Sequence, residues 1–203
     1  MKFLSREDVE KLIAESPQDS NTKFLASSHS LWVRFHNYKN SPPMAIMEDD
    51  KPVCIHFATF NKNLYTNSYE IVTMGGHEGK GYARKLWSEY IDYAVKIRGM
   101  ERLKNSCVPS SVTWHIRNGL IFWAIDPTGS LKTDQPLFSS VNEQKSARSL
   151  YIKNPSLAYP KPSVKEALKK CKLESYNFGE KKKSKVLEAI NNAGKFWLGD
   201  QLG

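Results

Sequence analysis

Cysteine is scarce and scattered. Cys54, Cys107 and Cys171 are the three in 203 residues, and no two form a Cys-x-x-Cys pair. An odd number at such spacing supplies neither a disulfide framework nor a zinc signature, so no metal is expected. Long apolar runs are missing too. None approaches the roughly 20 residues that a bilayer crossing needs, and no membrane association is expected. The first residues, Met1-Lys2-Phe3-Leu4-Ser5-Arg6-Glu7-Asp8, hold no apolar leader core and turn acidic at once. The expected place of work is therefore the compartment of synthesis, the cytoplasm. Acidic residues are in deficit: 21 Asp and Glu against 30 Lys and Arg leave a formal charge of +9. That excess draws phosphate polymers, acidic proteins or anionic cofactors.

What is present is the balance of a globular protein. Hydrophobic residues make up 40% and charged residues 25%, with nine Phe, nine Tyr and five Trp for a core; disorder throughout is excluded. The positive charge is concentrated late. From Tyr151 onward eleven Lys stand against five acidic residues, so this stretch carries +6 of the +9. Pro155, Pro160 and Pro162 make a stiff connector there, and two Lys-rich helices are expected over 163–173 and 183–193. The expected organisation is a main domain over 1–153 and a basic helical extension over 154–203. The extension contains Lys181-Lys182-Lys183-Ser184-Lys185, with Tyr176, Phe178, Phe196 and Trp197 nearby. Those letters suit phosphate contact and base stacking, so DNA or RNA is a candidate partner. A solvated lysine-rich face is the alternative.

Within the main domain, Ser5 followed by Arg6-Glu7-Asp8 and by Val9, Leu12 and Ile13 reads as a capped amphipathic helix ending near Ser16-Pro17. Residues 18–30 are polar and ambiguous. A strand is expected at Leu31-Trp32-Val33-Arg34-Phe35, then others at 44–47, 53–60 and 69–74, forming an antiparallel meander. The period then changes. After Gly75-Gly76, apolar residues fall at Tyr82, Ala83, Leu86, Trp87, Tyr90, Ile91, Ala94, Val95 and Ile97, the spacing of a helix that Gly99 ends. Further on come a strand near 102–108, a short helix capped by Ser110 or Ser111 and ended by Gly119, a strand over 120–125, a turn at 126–129, and Leu137-Phe138 in a last strand.

The stretch most informative about chemistry is the strand, glycine turn and helix over 69–98. A helix beginning at a glycine turn presents unpaired N–H groups and its positive dipole end, an anion site. The turn reads Glu78-Gly79-Lys80-Gly81-Tyr82-Ala83. It resembles the central motif of the GCN5-related N-acetyltransferase (GNAT) superfamily, Arg/Gln-x-x-Gly-x-Gly/Ala at the start of the central helix. Gly81 and Ala83 match the last two fixed positions, and Gly79 and Lys80 match common choices between. Glu78 stands where Arg or Gln is usual, placing a carboxylate near an expected pyrophosphate. Thr73 and Gly75 replace the commoner Val and Pro. A later helix in that family ends in a tyrosine four residues before a Gly-Phe pair; here Gly119-Leu120 fits the pair and His115 the tyrosine position. Residues 121–129 resemble the strand and Asp-x-x-Gly turn that follow. The resemblance spans roughly 30–140.

The resemblance implies an α/β (α+β) fold, a mixed, mostly antiparallel central sheet flanked by helices. It implies acetyl-CoA or another acyl-CoA as co-substrate, with pantetheine along Ile71, Val72 and Thr73. The pyrophosphate would then lie at Glu78, Gly79, Lys80, Gly81, Tyr82 and Ala83. The activity implied is N-acyl transfer to an amine. Such transfer needs a neutral nucleophile, an oxyanion stabiliser and a proton for the leaving thiolate. His115 is a candidate for the proton, Glu70 or His56 for a base, and each has the alternative of an ordinary packed or surface residue. The acceptor carries no diagnostic motif. Nucleic acid, or a nucleic-acid-bound amine, is one expectation, including a phage-type DNA base-modifying relative. A non-catalytic nucleic-acid or protein-binding module on the same fold is the alternative of another class.

Overall fold

A computed structural model of the chain describes residues 1–107, 111–120, 124–125, 131–138 and 142–143. The chain divides into two compact units, Met1–Gly99 and Met100–Gly203. The boundary expected at 153/154, the two Lys-rich helices and the turn at 126–129 lie outside the described residues.

The first unit runs β1 (Lys2–Phe3), α1 (Arg6–Glu15), α2 (Ser20–Phe35), β2 (Met44–Glu48), β3 (Lys51–Phe60), β4 (Tyr65–Thr73) and α3 (Tyr82–Lys96). All its strand pairings are antiparallel, β1 with β2, β2 with β3, and β3 with β4. Helix α1 starts as expected. Ser5 Oγ accepts from the Asp8 amide at 3.0 Å, and Asp8 returns the bond to the Ser5 amide at 2.9 Å, a capping box that satisfies two orphan donors.

The strand expected at 31–35 is instead the last part of α2. Asp19 opens this helix by accepting from the Thr22 amide at 2.8 Å, and the buried face carries Thr22, Leu25, Ser28 and Trp32. The strand that edges the meander is Lys2–Phe3.

β3 explains the layering. Residues 53–58 are buried without interruption, the pattern of a strand covered on both faces. Ile55 and Phe57 join Leu25, Trp32, Val72 and Met74 in a core under α1 and α2. The Trp32 ring lies 5.3 Å from that of Phe57, and its indole N–H donates to the Ser41 carbonyl at 3.0 Å. The opposite face presents His56 to Trp87 and Tyr90 of α3. Helix α3 buries Leu86, Trp87, Tyr90, Ile91 and Ala94, the stripe that its sequence period anticipates. Truncating a buried aromatic such as Trp87 or Trp32 would cost about 3–5 kcal/mol.

The register between β3 and β4 slips between Phe57 and Ala58, so that Ser68 pairs with Ala58, Glu70 pairs with Phe57, and Tyr69 is the extra residue. This bulge bends β4 immediately before the segment 70–73.

The second unit contains β5 (Arg102–Cys107), α4 (Val112–Arg117), β6 (Ala124–Ile125) and β7 (Leu131–Pro136). β7 pairs antiparallel with both β5 and β6. Gly119, at φ +89°, ends α4 as the sequence suggests. The last strand lies just before Leu137-Phe138 rather than through it. Among the described residues no helix is long and apolar enough to cross a membrane.

Candidate functional site

The turn between β4 and α3 is built from its glycines. Gly76, Gly79 and Gly81 all adopt positive φ, and a side chain added at any of them would meet nothing within 4 Å. Backbone conformation rather than crowding therefore asks for glycine at Gly81 (φ +83°), and the bare backbone faces open space. Gly75 is the opposite case. A β-carbon there would stand 2.0 Å from Asp19 Oδ2, so the N-terminus of α2 presses directly on the turn.

Helix α3 begins at Gly81 with no side-chain cap and no acidic residue in its first turn. Its first amides, from Tyr82 onward, keep their donors and the positive end of the dipole. Lys80, Arg84 and Lys85 are exposed around this point. The donor set fits the phosphates of an acyl-CoA: amides for close approach, cations for charge. Gly79, Lys80, Gly81, Tyr82 and Ala83 thus stand together on one turn.

Glu78 does not face the open amides. Its carboxylate accepts from the side-chain amide of Asn21, in the first turn of α2. Backbone N–H groups of the turn, first its own, then the Asn21 amide and the Gly76 N–H, hold its carboxyl below the usual carboxylate range. On the other flank Glu48, closing β2, accepts from the Tyr82 hydroxyl at 2.7 Å. The same carboxylate lies 3.0 Å from His77 Nδ1 and 3.8 Å from Lys80 Nζ. The Tyr82 bond, ahead of Lys80 and His77, lowers the Glu48 pKa, and the same bond raises that of Tyr82. Asp19, Asn21 and Glu48 carry no functional signal in the sequence. None has a local signature, because Asn21 lies 57 residues from its partner and Glu48 lies 34 from Tyr82.

β4 brings Ile71, Val72 and Thr73 into line immediately before the turn, paired with His56, Ile55 and Cys54. Glu70 pairs with Phe57, and Val72 and Met74 of the same alternation lie in the core beneath α2. Glu70 therefore points to the α2 side of the sheet. Its side chain reaches solvent, yet desolvation by the surrounding protein raises its carboxyl pKa. His56 is on the other face. It is fully buried, with Nε2 2.8 Å from Ser68 Oγ and its ring 4.4 Å from that of Tyr90. The two base candidates thus lie on opposite faces, and His56 serves as packing under α3.

His115, in the second unit, sits on α4. Its carbonyl accepts from the Asn118 and Leu120 amides at 3.0 and 3.1 Å, and its Nδ1 is 3.5 Å from Asn105 Nδ2. Burial pushes its pKa down to about 4. Burial thus favours the neutral ring over the imidazolium.

Beside the turn, within the first unit, a cleft of about 460 Å³ reaches Gly75 and His77. Its lining holds five carboxylates (Asp8, Glu15, Asp19, Asp49 and Asp50) and three lysines. Among the described residues no group of three His, Cys, Asp or Glu side chains could hold a metal ion.

No protein-family model and no curated protein sequence matches the chain. Solved structures do. A chimera of the Vibrio cholerae spermidine N-acetyltransferase SpeG with hSSAT aligns at a TM-score of 0.51 and 12% identity, over 71% of this chain and 98% of that one. A point variant of Vibrio cholerae SpeG aligns at 0.50 and 13%, over 73% and 94%. A ribosomal-protein-alanine N-acetyltransferase from Brucella melitensis gives 0.49 and 15%, over 67% and 98%. At such identities the likeness is one of fold: the chain has the α/β fold of the GCN5-related N-acetyltransferases.

Proposed function

We propose that this protein is an acyl-CoA-dependent N-acyltransferase. The observation that carries the reading is the uncapped, glycine-opened start of α3, placed directly after β4 in an acetyltransferase fold. In this reading the backbone of Ile71, Val72 and Thr73 aligns the pantetheine, and the amides of Gly79, Gly81, Tyr82 and Ala83 take the pyrophosphate. Lys80 adds positive charge. The acyl group is acetyl or a close relative.

The chemistry asked of the chain is limited. An ammonium acceptor first loses a proton, and its lone pair then attacks the thioester carbonyl. The C–N bond forms, the C–S bond breaks, and the CoA thiolate leaves and takes up a proton. Glu70 is the base this reading favours, because it stands on β4 immediately before Ile71, its side chain reaches solvent, and partial desolvation raises its carboxyl pKa. His115 is the candidate that the family resemblance offers for the thiolate's proton, and burial, which lowers its pKa, works against its charged form.

The acceptor is an amine. The cleft next to the turn is net acidic, so a polyanionic acceptor meets charge of its own sign there. The lysine-rich residues that favour nucleic acid lie outside the described part of the chain.

Calorimetric titration with acetyl-CoA is the first test. Saturable binding is expected, and its absence would favour a non-catalytic module on this fold. Glu70→Gln should then lower kcat by about 100-fold while acetyl-CoA affinity stays unchanged. The base works as the carboxylate, so wild-type activity should rise with pH through the raised Glu70 pKa. That limb should vanish in Glu70→Gln; a retained limb removes Glu70 from the chemistry.

A further inference from the structure

The turn that offers its amides to an anion carries an anion of its own. Glu78 is the one acidic residue within 75–81. Its carboxylate is drawn to α2 by the Asn21 amide and is seated on the N–H groups of Glu78 and Gly76. It does not reach the start of α3, which has no side-chain cap. Glu78 and Gly81 are three residues apart, at most about 11 Å along the chain. That is close to the ~8–10 Å Debye length at moderate salt, so the charge is felt by any phosphate at the α3 amides. A second carboxylate, Asp19, lies on the same side and against Gly75. The nearest turn cation, Lys80, is partly neutralised by Glu48 at 3.8 Å.

We propose that Glu78 is a charge gate on the glycine turn and that Asn21 is the positioning residue that parks it against α2. The proposal rests on the acyl-donor reading and deepens it by naming what sets donor affinity. With the carboxylate parked, the amides of Gly79 to Ala83 remain open to a pyrophosphate. The negative charge still weakens every polyphosphate ligand. With the tether cut, the carboxylate is free to turn toward the α3 amides and compete for them, because a carboxylate is a good ligand for a helix start. The two residues therefore act in opposite directions on the same affinity, which a merely structural contact between α2 and the turn would not do.

Glu78→Gln keeps the size and the bond to Asn21 and removes the charge. Asn21→Ala keeps the charge and removes the tether. Acetyl-CoA and inorganic pyrophosphate are titrated into both variants and the wild type by calorimetry, at low and high salt, with thermal melts to confirm folding. Glu78→Ala serves as a second charge-removing variant. Glu78→Gln should bind acetyl-CoA about 5-fold more tightly, an advantage that shrinks with salt, and Asn21→Ala should bind it more weakly. Binding by Glu78→Gln where wild type shows none would overturn the parked gate, because the Asn21 tether would then fail to keep the amides open. Equal affinity of wild type and Glu78→Gln would leave the donor reading standing and overturn the gate. Weaker binding by Glu78→Gln would mean that the carboxylate orders the turn, and overturns it too. If no variant binds either probe, the turn is not an anion site, and the gate and the donor reading fall together.

Discussion

Helices α2 and α3 treat the orphan amides at their starts in opposite ways. At α2 the chain supplies its own anion: Asp19 accepts from the Thr22 amide at 2.8 Å, and the helix is closed. At α3 the first position is Gly81, no side chain caps the amides, and the backbone around it is bare. A closed start needs nothing further. An open start at a glycine-rich turn leaves donors that water or an outside anion must satisfy. The start of α2 also touches the turn that leads into α3, through Asp19 against Gly75 and through Asn21 to Glu78. The element that keeps its anion thus holds the element that lacks one.

Moving the α2 solution onto α3 should have the largest effect. Gly81→Asp puts a carboxylate at the helix start, where aspartate tolerates the left-handed conformation better than most residues. The internal anion would occupy the amides and repel phosphates. Acetyl-CoA affinity should fall by about 100-fold, with a stability loss of about 1 kcal/mol because the left-handed backbone at Gly81 strains any side chain. Calorimetry reads the first and a melting curve the second. Affinity within a fewfold of wild type would show that α3 does not hold the donor.

The converse change is smaller. Asp19→Ala removes the α2 cap and should cost about 1 kcal/mol of stability, read from a denaturant titration. It also takes away one carboxylate beside the turn, so donor affinity should hold or rise slightly. A large loss of affinity would mean that α2 shapes the turn through the Asp19–Gly75 contact rather than merely resting on it.

These two starts were unequally legible in the sequence. Gly79-Lys80-Gly81 after a strand and before a 3.6-period stripe marks α3 by local letters. The α2 start has no such letters, and the C-terminal part of the helix carries the pattern of a strand. The reason is physical. Its buried face includes the small polar Thr22 and Ser28, while Phe24, Leu31 and Phe35 are exposed at 46%, 54% and 64%. Apolar letters outside and polar letters inside hide the helical period, and Leu31-Trp32-Val33-Arg34-Phe35 then reads as alternation. Long-range pairs are hidden for another reason. Nothing near Glu78 announces Asn21, and nothing near Tyr82 announces Glu48, because only the fold brings them together. The same holds for His56 and Glu70. Both sit on strands of the meander, and only the slip in register at Tyr69 decides which face each residue takes.

The smallest effect is expected on the other flank of the open start. Glu48 is exposed to solvent at its carboxylate, where it meets Lys80 at 3.8 Å and the Tyr82 hydroxyl at 2.7 Å. An exposed ion pair of this kind is worth about 0–1 kcal/mol, so its removal will hardly move stability. Glu48→Gln keeps an acceptor for the Tyr82 hydroxyl and removes the charge that offsets Lys80. The lysine then presents its full charge to a phosphate at the turn, and acetyl-CoA should bind about 2-fold more tightly at low salt, with no difference at high salt. The Tyr82 pKa, raised first by the Glu48 bond, should move down toward its ordinary value, which ultraviolet titration can follow. If Glu48→Gln instead loses affinity, the carboxylate is needed to hold Tyr82 and His77 in place. The open start would then depend on a side-chain brace on its far flank, while the closed start of α2 depends on its own cap alone.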